Sequence, residues 1–364
     1  MPNTCKAAVF MGPQKPLEIQ EFPVPEVEPG AVLLQIQMAA VCGTDVHAWH
    51  NPDAPFPAIF GHENIGIIAQ MGRGVISDAL GRPVKEGDRV LFSGTPCGHC
   101  YYCTISMPLF CETYGKYGLE PLSDPPVLNG GFAQYVYLKP TPWLLRVPDD
   151  VSSERALMSL IGNQTTMNAI ERAGGIRVGE TVVVQGSGPV GMGALNQAKL
   201  SGASLVVVVG APANRLDLAK EMGADLTVDI ADFPEPEARV QRVLELVGDK
   251  GADVVIEASG GKTAFQEGLE MVRMSGKYVV VGQYTDYGPL PVNPALIVRK
   301  SLYVTGVVAS TPQTAIRSLE SMSTAVKYPV EKLITHHYPL EDVNEAFRAH
   351  DAMEAMIPVL LPNG

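Results

Sequence analysis

Hydrophobic and polar positions along the chain change their rhythm near residue 151. Before that point, short β-like runs at 31–40, 65–70 and 89–92 are separated by frequent proline and glycine, the pattern of strands joined by irregular loops. Beyond it, strand-length apolar runs alternate with segments of helical period. The pattern predicts a helix over 153–173, a strand over 181–184 and a helix from Pro189. A strand over 205–209, a helix over 213–222, a strand over 253–257, a helix over 263–273 and a strand over 278–281 follow. Runs such as 206–209 and 279–281 are apolar on both faces, as in a parallel sheet covered by helices on each side. After Gly306 a helix-like stretch leads to a strand-like run over 332–338, so the C-terminal segment is expected to return to the first domain. The expectation is therefore an α/β chain. A mostly β domain over 1–158 is completed by 306–364, and a doubly wound domain spans 159–305.

Size and composition agree with two globular domains: 364 residues, 46% of them hydrophobic and 18% charged. A formal charge of −12 argues against nucleic acid or an anionic membrane as partner, since lysine and arginine supply the electrostatic part of such binding. A small molecule is the expected partner. The opening MPNTCKAAVF lacks a basic run and a long apolar core, and no later segment reaches the roughly 18 apolar residues of a membrane span. The chain is thus read as soluble and cytoplasmic. Four of the six cysteines crowd into 97–111, which in a large chain without a secretory leader fits metal ligation better than disulfides.

Two motifs carry chemistry by their own spacing. Gly186-Ser187-Gly188-Pro189-Val190-Gly191 directly follows a strand and opens a helix. There Gly186 permits a tight turn, Gly188 lets a pyrophosphate approach the backbone, Gly191 allows close helix packing, and the helix N-terminus favours the anion. The acidic residue expected at the end of the next strand, to hold the adenosine ribose, is replaced by Gly210. A 2′-phosphate is then not repelled, and Arg215 either reaches it or merely opens the next helix, so NAD and NADP both stay open. The second motif is Cys97, Cys100, Cys103 and, after seven further residues, Cys111. Four thiolates close a tetrahedral zinc site with no position for water, a structural role; His99 is a bystander.

A third group is weaker residue by residue. Cys42-Gly43-Thr44-Asp45-Val46-His47 and Gly61-His62-Glu63 supply a thiolate, an imidazole and a carboxylate, a set that selects zinc and makes it a Lewis acid if a position stays open. Thr44 could instead cap a helix and His47 could be a surface residue. Trp49, Phe56 and Phe60 flank these motifs, as pocket lining or as core.

Taken jointly, the three motifs, with Gly66, Gly72, Val75 and Gly87-Asp88-Arg89-Val90, resemble the zinc-containing medium-chain dehydrogenase/reductase superfamily over essentially the whole chain. The resemblance implies a GroES-like catalytic domain, a Rossmann domain and an active site in the cleft between them. It implies that Cys42 and His62 ligate a catalytic zinc, with Glu63 as ligand or exchange partner and Asp45 orienting His62. It also implies that Thr44 accepts the alcohol proton and passes it through the nicotinamide ribose toward His47, and that Thr165 and the Gly186–Gly191 loop contact the coenzyme. The function implied is reversible oxidation of an alcohol to an aldehyde or ketone, using two zinc ions per chain and NAD or NADP, in a homodimer or homotetramer joined at the sheet edge near 302–308. One departure stands out. The position where many relatives add a further metal ligand falls on Ile161, with only Ser159 and Asn163 nearby. Two other readings are a metal-independent quinone or enoyl reductase of the same fold, which Cys42 with His62-Glu63 opposes, and a catalytically silent zinc and dinucleotide binding protein, which Ile161 leaves open.

Overall fold

A computed structural model describes the chain except for residues 1, 95, 116, 123–126, 285 and 287. It forms two compact units: Met1–Leu157 with Ile334–Gly364, and Met158–Leu333.

The first unit is built on a seven-stranded sheet. Ile334–Pro339, Ile357–Leu361, Val32–Ala40, Asn64–Met71, Arg89–Ser93 and Trp143–Arg146 run side by side in that order, and Tyr135–Leu138 also pairs with Val32–Ala40. A smaller sheet holds Glu18–Pro23, Thr4–Phe10 and Ala58–Ile59. Short strands rich in Val, Ile and Leu bury their side chains between these layers, so Leu33, Leu34, Ile36, Ile59 and Ile65 are wholly inaccessible. Phe60 belongs to this core, stacked on Phe10 at 4.6 Å, whereas Phe56 is exposed.

The second unit carries six parallel strands in the order Leu226–Asp229, Leu205–Gly210, Thr181–Gln185, Ala252–Glu257, Val272–Val280 and Tyr303–Gly306. That order reverses direction beside Thr181–Gln185. Ligands of doubly wound sheets bind at such a switch point, outside the carboxyl ends of the strands. Val182–Val184 and Val206–Val208 are fully buried, as their unbroken apolar runs require.

Four features differ from the expectation, the first being that the strand expected over 278–281 runs Val272–Val280 and begins where the helix Ala264–Met271 ends. The helix over 153–173 is interrupted: Ser153–Met158 and Gln164–Arg172 are helical, but Ser159–Asn163 form a π-type turn in which Ile161 and Gly162 leave helical geometry. Gly162 has φ 72°, and a Cβ there would lie 2.5 Å from the Pro189 carbonyl, so only glycine lets the turn pack on the helix Pro189–Leu200. The Asn163 side chain holds the bulge by donating to Met158 O at 2.8 Å. The strand Leu226–Asp229 and the helix Pro236–Val247 had no counterpart in the sequence reading. Finally, the return to the first unit comes at Ile334, not at 306. The helix Pro312–Thr324 buries Ala315, Ser318, Leu319 and Met322 within the second unit, and Ser318 Oγ donates to Ser159 O at 2.6 Å.

Candidate functional site

The first unit brings Cys42, His62 and Glu63 together from two elements. Cys42 is the N-cap of the helix Gly43–His50: its Sγ accepts from the Thr44 N–H at 3.3 Å, and its own N–H donates to Asp45 Oδ2 at 3.0 Å. The cap is therefore Cys42 rather than Thr44. His62 and Glu63 lie at the entry to the strand Asn64–Met71. Cys42 Sγ stands 3.4 Å from His62 Nε2, and one ligand atom from each of the three residues falls within 4.8 Å of the others.

The electrostatics of this group point to a cation. Asp45, wholly buried, places Oδ1 at 3.3 Å from His62 Nδ1, a close contact short of good hydrogen-bond alignment. Burial pushes the Cys42 thiol and the Glu63 carboxyl upward. Burial opposes the His62 imidazolium, but Cys42 and Asp45 together hold its pKa well above the ordinary value. Glu63 Oε2 is buried without a hydrogen-bond partner. A thiol, an imidazole and an unsatisfied carboxylate oxygen in this proximity are a donor set that fits zinc. His47 lies one turn along the helix from Thr44 and is exposed.

The second candidate centre is also in the first unit. Ligand atoms of Cys97, Cys100, Cys103 and Cys111 lie within 4.8 Å of one another, and all four thiols are free. Backbone N–H groups of Cys97 and Cys100 donate to Cys111 Sγ at 3.2 Å and Cys97 Sγ at 3.3 Å. The His99 N–H pulls the Cys97 thiol down to about 6, while burial pushes Cys103 up to about 12. Four thiols this close are a donor set that fits one cation, which would let all of them ionise. The His99 ring is exposed and lies at 2.8 Å from the Cys97 carbonyl, outside the cluster.

The dinucleotide motif lies in the second unit, where the strand Thr181–Gln185 meets the helix Pro189–Leu200. Gly186 has φ 114°, and a Cβ on it would come within 2.7 Å of Ala258 O; one on Gly191 would lie 2.0 Å from Gly186 O. A Cβ on Gly188, the helix N-cap, would meet nothing within 4 Å. Val190 sits in the first turn behind Pro189. Thr165 lies in the first turn of the helix Gln164–Arg172, and Arg215, half-buried, lies in the first turn of Ala213–Glu221. Gly210 ends its strand against the motif itself: a Cβ there would be 2.5 Å from Ser187 Oγ and 2.7 Å from Ser187 Cβ. Ser187 Oγ in turn donates to Ala211 O at 2.8 Å.

Sequence reasoning passed over Ser187 and Asn64. The first lies inside the Gly-rich turn at a position usually read as a wildcard. The second is a lone amide opening the apolar strand run Asn64-Ile65-Gly66-Ile67-Ile68, which was the available signal.

Comparison with known proteins gives the context. The alcohol dehydrogenase GroES-like domain family matches residues 28–149, and the zinc-binding dehydrogenase family matches 189–324. The chain is 31% identical to 5-exo-hydroxycamphor dehydrogenase of Pseudomonas putida, covering 97% of this chain and 98% of that protein. The chain belongs to the zinc-containing medium-chain dehydrogenase/reductase superfamily. Other members similar to it are L-threonine 3-dehydrogenase of Bacillus subtilis, 30% identical over 94% of each chain, and an alcohol dehydrogenase structure from Thermotoga maritima. The latter superposes with TM-score 0.92 at 31% identity, covering 99% of this chain and 100% of that one. As a medium-chain dehydrogenase/reductase, the chain is an oxidoreductase whose first unit carries a GroES-like domain and whose second carries a Rossmann-type parallel sheet. Among the described residues of this superfamily member, no helix is long and apolar enough to cross a membrane.

Proposed function

We propose that the protein is a zinc-dependent alcohol dehydrogenase that reversibly oxidises an alcohol to an aldehyde or ketone with NAD or NADP. The observation that carries this reading is the Cys42, His62 and Glu63 group, whose ligand atoms lie within 4.8 Å of one another. These three residues hold the catalytic ion, and Cys97, Cys100, Cys103 and Cys111 hold a structural one. Zinc in the first site supplies Lewis-acid polarisation of the substrate oxygen, and the nicotinamide coenzyme supplies the hydride acceptor.

The chain's own groups do the rest. Asp45 fixes the His62 ring and the start of the helix Gly43–His50 at once. The Thr44 hydroxyl would take the alcohol proton while giving up its own toward the nicotinamide ribose hydroxyl, and the exposed His47 on the same helix would release a proton to water. Gly186, Gly188, Pro189, Val190 and Gly191 offer backbone and a helix N-terminus to the pyrophosphate, while Thr165 and Arg215 flank the coenzyme. Gly210 brings no carboxylate to the adenosine ribose, so both coenzymes enter the test.

The test is metal analysis together with reduced-nicotinamide absorbance across a panel of alcohols and both coenzymes. Two zinc ions per chain and turnover of at least one alcohol are expected. A second reading rests on Ile161, a buried apolar residue at the position where the family resemblance leads one to expect a further ligand: two zinc ions with no turnover on any substrate would make the chain a silent zinc and dinucleotide binding protein. The assembly is taken as a homodimer or homotetramer formed through the exposed edge strand Tyr303–Gly306.

A further inference from the structure

The peptide units on either side of Gly61, between the strands Ala58–Ile59 and Asn64–Met71, are held by side chains as well as by a backbone bond. The Gly61 N–H faces Asp45 Oδ1 at 3.4 Å, the oxygen that also approaches His62 Nδ1. The Gly61 carbonyl accepts twice, from the Gly131 N–H at 2.8 Å and from Asn64 Nδ2 at 2.9 Å. Asn64 is 1% exposed, and its Oδ1 is buried with no hydrogen-bond partner. An apolar residue would avoid that desolvated oxygen, so the single donation to Gly61 O has to outweigh it.

The surroundings leave this amide one arrangement. A Cβ on residue 131 would lie 1.8 Å from Asn64 Oδ1, and one on residue 118 would lie 2.3 Å from Gly61 O. Gly61 has φ 90°, and a Cβ on it would come within 2.6 Å of the Phe132 ring. Gly131 thus makes room for the Asn64 amide, and Gly118 and Gly61 make room for the main chain that leads into His62. Exchanging the amide oxygen and nitrogen would set oxygen against the Gly61 carbonyl oxygen, which fixes the assignment.

We infer that Asn64 is a positioning residue for the metal pair His62 and Glu63: by holding the Gly61 carbonyl it sets the backbone direction from which His62 Nε2 meets Cys42 Sγ. Asp45 orients the ring, and Asn64 orients the main chain that bears it. This rests on the reading of Cys42, His62 and Glu63 as a zinc site.

The test compares wild-type holoprotein with Asn64→Leu, which keeps the side-chain shape and removes the donor. Zinc affinity of the site is measured by chelator competition, and the visible spectrum is recorded after cobalt replaces zinc. Losing a group that orients a ligand typically lowers metal affinity by about 10- to 100-fold, and that loss is expected here with an altered cobalt spectrum. Turnover lost at limiting zinc should return at saturating zinc. Wild-type affinity and spectrum in a folded Asn64→Leu protein, whatever its melting temperature, would overturn the inference. If that variant does not fold, Asn64→Asp decides. Its added charge alone would tighten a cation, so weaker binding or an altered cobalt spectrum supports the role of the amide, and a wild-type spectrum with equal or tighter binding refutes it. A wild-type protein that binds only the four-cysteine zinc would remove the parent reading and this inference together.

Discussion

Gly210→Asp probes the adenosine end of the dinucleotide site, and its outcome depends on Ser187. An aspartate at 210 supplies the carboxylate that binds a ribose 2′-hydroxyl and repels a 2′-phosphate. Two like charges about 5 Å apart, at effective dielectric values between those of protein surface and water, repel by about 1–3 kcal/mol, roughly 5- to 150-fold in the NAD/NADP ratio of kcat/KM. The new Cβ, however, would stand 2.5 Å from Ser187 Oγ, 2.7 Å from its Cβ and 2.9 Å from its backbone nitrogen. Ser187 is 3% exposed and tied to Ala211 O, so it cannot simply swing away. Overpacking of this kind costs about 1–3 kcal/mol, or about 2–4 °C of melting temperature per kcal/mol for a unit of this size. Ser187→Gly removes the two shortest contacts. The single variant should therefore lose stability, and Ser187→Gly/Gly210→Asp should recover most of it while showing the fuller shift toward NAD. Calorimetry and coenzyme kinetics on all four proteins close a double-mutant cycle. A Gly210→Asp protein as stable as wild type, or a double variant no better than the single one, would refute the packing argument. An unchanged coenzyme ratio in the double variant would refute the assignment of Gly210 to the ribose.

Two further substitutions separate the metal centres: Cys42→Ala should yield a folded protein with one zinc fewer and no turnover, whereas Cys103→Ala should chiefly lower the unfolding temperature. Exchanged outcomes would mean that the two roles are assigned the wrong way round. In the helix Ala264–Met271, Gly268→Ala should destabilise although alanine is the better helix former by about 1 kcal/mol. Its Cβ would lie 2.4 Å from Tyr278 Cζ, and Tyr278 is wholly buried with its hydroxyl donating to Ala264 O. A higher melting temperature would show that this face has room to relax.

The parallel sheet was legible because its strands are short, uniformly apolar and spaced by helices. Thr181–Gln185, Leu205–Gly210 and Ala252–Glu257 lie within a residue of the predicted strands. Leu226–Asp229 escaped notice because only Val228 is buried, so an edge strand leaves almost no hydrophobic trace. The π-type turn at Ser159–Asn163 was invisible for another reason: its cause is contact of Gly162 with Pro189, residues far apart in sequence. The same division holds at the site. The four-cysteine cluster announces itself by spacing alone, since its ligands are local. The proximity of Cys42 to His62, and the contacts of Asn64 and Ser187 with glycines elsewhere in the chain, exist only after folding.

The first unit's sheet takes two of its strands from beyond the second unit in sequence. Ile357–Leu361 pairs with Val32–Ala40, and the Val41 N–H donates to Pro358 O at 3.0 Å, immediately before Cys42. Domains generally form as units while synthesis proceeds from the N-terminus, and here that order is inverted. Met158–Leu333 is one uninterrupted stretch, whereas the first unit's sheet joins strands from both sides of it, so the backbone leading into Cys42 lacks its partner until Ile357–Leu361 has been made.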